Sequence, residues 1–158
     1  MITSKLVLRN VGTVDVEFIK TIEDDTFSDA WSLAALNSMF DYDYYHCYVA
    51  VLKDEETEKE ILMGYAIFKT VAGESELLRF ALSCEQRGRG FGKSLLAYAL
   101  AEENRHQTEK VFLEVRESNE AAIAVYKKQG FKEIGKRKRF YQDPEEDALL
   151  MELILNEV

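Results

Sequence analysis

Apolar positions recur along this chain with two periods, and the way the periods alternate predicts a mixed α/β fold. Leu6 to Arg9 reads as an opening strand, while Val14 to Ile22 and Trp31 to Phe40 carry apolar side chains at helical intervals. Tyr48 to Leu52 and Ile61 to Thr70 are rich in aromatic and β-branched residues and flank the charged stretch Asp54 to Glu60, the pattern of a hairpin. Leu77 to Leu82 reads as a buried strand. After it, Leu95, Leu96, Ala99 and Leu100 fall on one face of a helix from Gly92 to about Arg105, and Val111 to Val115 is a strand again. This order predicts a strand–helix–strand crossover. Asn119 to Gln129 predicts a short helix stopped by Gly130, a residue suited to the left-handed turn that ends helices. Phe131 onward returns to strand, and Ala148 to Leu155 is the last one. Helices alternating with strands around a mixed sheet make an α/β sandwich.

Nothing divides the chain. Its 158 residues contain one proline, Pro144, and no repeat, linker or low-complexity tract, so one domain over residues 1–158 is expected. The 47% hydrophobic content supplies an ample core without any apolar run near the roughly 20 residues of a membrane span. The N-terminus lacks a basic-then-apolar signal pattern, and Cys47 and Cys84 lack metal or disulfide spacing. A cytoplasmic location with two free thiols is therefore expected. The formal net charge of −9 argues against general nucleic-acid binding, which demands a basic surface. Two groups of cations stand out all the same. Arg87, Arg89 and Lys93 surround a glycine-rich segment, and Lys136 to Arg139 form a later cluster, read as a solvated strand or loop face.

The glycine-rich segment Gln86-Arg87-Gly88-Arg89-Gly90-Phe91-Gly92-Lys93-Ser94 lies between a predicted strand and a predicted helix. That order aims unpaired amides and the positive end of a helix dipole at one point, which suits a pyrophosphate. Spacing separates the candidate chemistries. A Walker A loop, G-x-x-x-x-G-K-[ST], fails because Arg87 occupies the first glycine position. The dinucleotide fingerprint G-x-G-x-x-G fails because Lys93 occupies the third. The loop alone is equally consistent with a glycine-rich turn that caps a helix.

Arg87 to Gly92 matches [QR]-x-x-G-x-[GA], and in this the chain resembles the GCN5-related N-acetyltransferases, the GNAT family. Phe112 to Phe131 is similar to the L-E-V-R-x-S-N-x-x-A-x-x-x-Y-x-x-x-G-F stretch of one branch, the RimI-like ribosomal-protein alanine N-acetyltransferases, and Tyr141 with Glu146 to Met151 is similar to that branch's Y...EDAxxM ending. The likeness is close from about Glu74 to Met151. Before that it is looser: Ile22-Glu23 and Phe27 to Ser32 resemble I-E...F-x-x-P-W-[ST], with Ala30 in place of the proline.

The resemblance implies a GNAT fold, with helices on both faces of a mixed sheet whose central parallel strands splay, and acetyl-CoA as cosubstrate with no metal. By the same resemblance, Phe80, Ala81 and Leu82 line acetyl-CoA, an amide near Leu82 polarises the thioester carbonyl, and the pyrophosphate rests on Arg87, Gly88, Arg89, Gly90, Phe91, Gly92 and Lys93. Asn119 also contacts the cofactor, Glu114 is the general base, and Tyr126 protonates the leaving thiolate. Each has a plainer alternative. Arg87 and Lys93 are then surface cations, Glu114 is paired with Arg116 or a lysine, Tyr126 is core, and Asn119 is an N-cap. The implied acceptor is a protein N-terminus, such as that of a ribosomal protein, with a small amine or a lysine as the alternative acceptor and a CoA-binding module without catalysis as the other class. A monomer and a homodimer are both compatible with the sequence. His46 and His106 lie outside every motif and are assigned no catalytic duty.

Overall fold

The computed structural model describes residues 3–155, arranged as seven strands in one sheet with four α-helices. In chain order the elements are β1 (Ser4–Asn10), α1 (Val16–Thr26), α2 (Leu33–Ser38), β2 (Tyr45–Asp54), β3 (Glu60–Val71), β4 (Glu74–Leu82), α3 (Phe91–Arg105), β5 (Lys110–Arg116), α4 (Glu120–Lys128), β6 (Lys132–Tyr141) and β7 (Glu146–Ile154). The strands lie in the order β1-β2-β3-β4-β5-β7-β6, and every neighbouring pair is antiparallel except β4 with β5. That parallel pair is the expected crossover, made through α3.

Strands β2 to β4 are covered on both faces. Val16, Ile19 and Ile22 of α1 and Leu36 of α2 pack on Val49, Val51, Tyr65 and Ile67, and on the opposite face Leu95, Leu96, Ala99 and Leu100 of α3 and Tyr126 of α4 pack on Phe68, Val111 and Leu113. The feature that creates a site is where β4 and β5 part. Their pairing runs only from Glu74 and Lys110 to Leu77 and Leu113, although β4 continues to Leu82 and β5 to Arg116. The cause lies on the other edge of β4. There, Ile67 and Phe68 of β3 face Arg79 and Leu77, so Leu78 is an extra residue in the ladder. A bulge bends its strand and adds twist, and this one falls just where β4 turns away from β5.

The strands β1 to β4 run longer than the pattern in the sequence, and the first two helices differ from it for local reasons. A 3-10 turn at Thr13–Asp15 precedes α1, and α1 runs past Ile22 to Thr26 through an acidic stretch that opposes the helix dipole. Tertiary contacts override that penalty, because buried Glu23 is held by the Tyr65 hydroxyl at 2.7 Å and the Trp31 amide at 2.9 Å. α2 is shorter than expected, since the Ser32 hydroxyl caps it through the Ala35 amide at 3.1 Å and it yields to a 3-10 turn at Met39. α4 ends as expected, with Gly130 at φ 103. The basic residues of the late cluster lie on β6, an edge strand, where charge discourages pairing with another chain.

Candidate functional site

The segment between β4 and α3 positions a row of cations at a helix start. Gly90 is the N-cap at φ 81, and Gly88 has φ 77. A Cβ at either would meet nothing within 4 Å, so it is the left-handed backbone, rather than protein crowding, that calls for glycine there. Gly92 answers to packing instead: a Cβ would press on Phe80 and Leu82 at 3.3 Å, and its absence lets α3 start close against β4. Ser94 is the first amide of α3 to donate backward, to Gly90 O at 3.2 Å, which leaves the amides of Phe91, Gly92 and Lys93 for a ligand. Arg87 donates to Thr26 Oγ1 at 3.1 Å and Arg89 to Gln86 Oε1 at 2.9 Å. Among the described residues none of these cations has a carboxylate partner. A cradle of free amides and uncompensated cations fits a pyrophosphate.

Beside this cradle, the parting of β4 and β5 opens a cleft of about 320 Å³. Leu77 to Phe80 line it from β4, Glu114 to Arg116 from β5, and Asn119 and Tyr126 from α4 and its cap. The structure thus gathers Phe80, Glu114, Asn119 and Tyr126 at one place. Ala81 and Leu82 differ. Ala81 buries its side chain in the α1-side core and Leu82 leans on Gly92, so both can offer a ligand only the backbone of the unpaired β4 edge.

Glu114 and Tyr126 carry opposite chemistry. Glu114 is about one-fifth exposed, and burial raises its pKa, opposed by the Arg137 guanidinium 3.5 Å away and assisted by Glu76. Its partner is therefore neither Arg116 nor a lysine. Arg137 comes from the cluster read as a solvated face, and this correction brings that residue to the edge of the site. Tyr126 is buried, its ring 5.9 Å from Phe80 and 5.7 Å from Phe131, and burial with help from Tyr141 drives its phenol well above the ordinary range. It keeps its proton at any working pH. Asn119 both lines the cleft and caps α4, its Oδ1 accepting from the Ala122 amide at 3.2 Å.

Two arginines that the sequence did not mark build the walls. Arg79 reaches from β4 to the 27–31 loop, donating to Asp29 O at 2.8 Å, approaching Glu23 at 3.4 Å, and stacking over Phe27 at 4.2 Å and Trp31 at 5.5 Å. Arg116 serves the β6–β7 turn, donating to Pro144 O at 2.8 Å and Gln142 O at 2.9 Å and stacking on Tyr141 at 4.5 Å. Tyr141 itself lines the cleft, its pKa pushed up to about 12 by burial and by Glu114. Composition gives no sign of these roles, because each arginine's partners are distant in sequence. Cys84 is exposed and Cys47 buried. His46 and His106 lie with their ring centroids 4.8 Å apart, and neither lines the cleft. Among the described residues, no group of His, Cys, Asp or Glu could hold a metal, and no helix is long and apolar enough to cross a membrane.

Residues 16–131 match the family model of the acetyltransferase (GNAT) family. A [ribosomal protein bS18]-alanine N-acetyltransferase of Haemophilus influenzae is 30% identical over 148 residues, 92% of this chain and 96% of that protein. A Bacillus subtilis protein that bears this name provisionally is 30% identical over 98% of this chain and 99% of its own length. Among solved structures, the ribosomal-protein-S18-alanine N-acetyltransferase of Escherichia coli superposes with TM-score 0.83 at 27% identity, covering 98% of this chain and 96% of the other. Arabidopsis thaliana NAA60 in complex with acetyl-CoA shares the fold, with TM-score 0.83 at 19% identity over 97% and 100% of the two chains.

Proposed function

Because this chain belongs to the GNAT family of acetyltransferases, and is an N-acetyltransferase that uses acetyl-CoA, we propose that it acetylates the N-terminal α-amine of a polypeptide, in the manner of RimI-like enzymes, and that Glu114 and Tyr126 carry the proton transfers. The observation that carries the reading is the cleft at the β4–β5 parting, where a raised carboxyl and a protonated phenol meet beside an anion cradle. The names of the relatives support a ribosomal protein with N-terminal alanine as acceptor.

Acetyl-CoA supplies an acetyl group on a thiol leaving group. The amides of Phe91 to Lys93, with Arg87, Arg89 and Lys93, hold its pyrophosphate at the α3 N-terminus. The bare edge of β4 offers backbone groups to pantetheine as a neighbouring strand would, and an amide there near Leu82 can donate to the thioester oxygen. Glu114 takes a proton from the acceptor ammonium, directly or through water. An α-amine with pKa near 7.7–8.0 needs far less help than a lysine near 10.4, so a carboxylate base suits the former better. Tyr126 faces the departing sulfur. A phenol driven above 10 is a weaker acid than a thiol near 8.5, so its contribution begins as a hydrogen bond to the developing thiolate.

Mass spectrometry of reactions offering an alanine-initiated peptide, an internal lysine peptide and spermidine with acetyl-CoA tests the assignment. The acetyl group is expected on the peptide α-amine. Acetylation of lysine side chains or of spermidine alone would overturn it.

A further inference from the structure

The acceptor cleft does not end at Glu114. Helices α1 and α2 cover the part of their face formed by β2, β3 and β4. Beyond β4, the same face of β5, β7 and β6 holds a groove of about 420 Å³. Phe112, Leu150 and Ile134 give it an apolar floor, and Glu74, Glu76 and Arg137 stand at its rim. Glu114 lines both this groove and the cleft, so the two adjoin at that side chain. On β5, Phe112 and Glu114 point to the same face and lie about 7 Å apart along the strand. A polypeptide whose amine sits at Glu114 can therefore cross Phe112 within two or three extended residues.

The groove has an electrostatic sign. Arg137 is engaged by Glu114 at 3.5 Å, and Lys69, the other cation of the lining, lies over the Tyr44 ring at 5.3 Å, whereas Glu74 and Glu76 have no ion pair among the described residues. Ile134, at 54% exposure, leaves an apolar surface open beside them. We propose that this groove is a downstream subsite for the acceptor polypeptide, taking an apolar side chain over Phe112 and Leu150 and a lysine or arginine against Glu74 and Glu76. The proposal rests on the reading that the acceptor is a polypeptide N-terminus, and it extends recognition from the first residue to those that follow. A small amine would leave the groove empty.

Steady-state kinetics with two acceptors of identical first two residues test it, one a dipeptide and one an octapeptide carrying Leu and Arg at positions three to six. A matched octapeptide with Asp at those positions is the control. The apolar, basic octapeptide is expected to exceed the dipeptide in kcat/KM by about tenfold, the effect of burying one aliphatic side chain. Ile134→Asp is expected to remove most of that ratio, and the Asp octapeptide to show no advantage. Equal values for all three peptides, with the dipeptide still acetylated on its α-amine, would overturn the subsite and leave the proposed function standing. Acetylation of none of them would overturn both. A dimer in sedimentation at assay concentration that Ile134→Asp dissociates would assign the groove to a second copy of the chain, and would also overturn the subsite.

Discussion

Glu114 sits between two opposed influences, and the balance sets where it works. Burial and Glu76 raise its pKa while Arg137 lowers it. On the acid side kcat/KM falls along its steeper limb once Glu114 protonates and can no longer take the proton of the acceptor ammonium. Arg137→Ala removes the influence that favours the carboxylate, so this steeper limb should move to higher pH; Glu76→Gln should move it down. Glu114→Gln should cost on the order of 10²–10⁴-fold in acetyl transfer, by a factor that shrinks as pH rises and the amine is already neutral. Tyr126→Phe should show a loss that persists at high pH and lessens with an acetyl thioester of a more acidic thiol. Rates unchanged across pH in both variants would make these residues structural. That both residues would come to one cleft was expected through the family resemblance, whose motif there is contiguous. Arg137 was not, since a basic cluster on a strand looks the same whether its members face water or a carboxylate on β5, across β7.

The elements that matter are the bent β4, the start of α3 and the two walls. Gly90→Ala should cost about 1–2 kcal/mol of stability for its left-handed backbone, a loss that thermal melting would register. Gly90→Glu adds a negative charge facing the cradle, and calorimetry should find acetyl-CoA binding weakened at least tenfold beyond the alanine variant. The wall built by Arg79 gives a separate expectation. Arg79→Gln frees the 27–31 loop, so the acceptor KM should rise about tenfold with the acetyl-CoA KM unchanged, the signature of lost positioning. Equal change in both KM values would show a general loss of structure instead. The crossover and the glycine loop were readable from apolar runs and spacing. The parting of β4 and β5 was expected only through the family resemblance, because a bulge at Leu78 is a matter of backbone register that no residue type announces.

At the scale of the whole molecule, a buried cluster far along the sheet ties α3 to the strands. Glu103 is fully buried and accepts from Tyr48 at 2.5 Å, Thr70 at 2.6 Å and Ser75 at 2.9 Å, with His46 Nδ1 at 2.7 Å. Burial pushes the Glu103 carboxyl up, but His46, Thr70 and Tyr48 together hold it below the ordinary value, and its hydrogen bond raises His46. A depressed carboxyl contributes stability above its unfolded pKa of about 4.3 and loses it below, whereas a raised histidine contributes below about 6.5 and loses it above. Melting temperature should therefore be highest between these limits, and His46→Gln should flatten the decline on the alkaline side. Glu103→Ala leaves several buried donors without an acceptor and should cost about 3–5 kcal/mol. None of this was visible in the sequence, where the partners stand up to 57 positions apart. The order of the elements along the chain was visible, because burial leaves its period there, whereas the sheet order β5-β7-β6 was not, since it depends on which strands pair. The central claim is that acceptor amine and acetyl-CoA meet through one opening between β4 and β5. Calorimetry with a conjugate that joins the sulfur of CoA through an acetyl group to the α-nitrogen of an alanine-initiated peptide tests it most directly: binding should be at least 10²-fold tighter than that of acetyl-CoA, and an affinity no better than acetyl-CoA's would contradict the shared site.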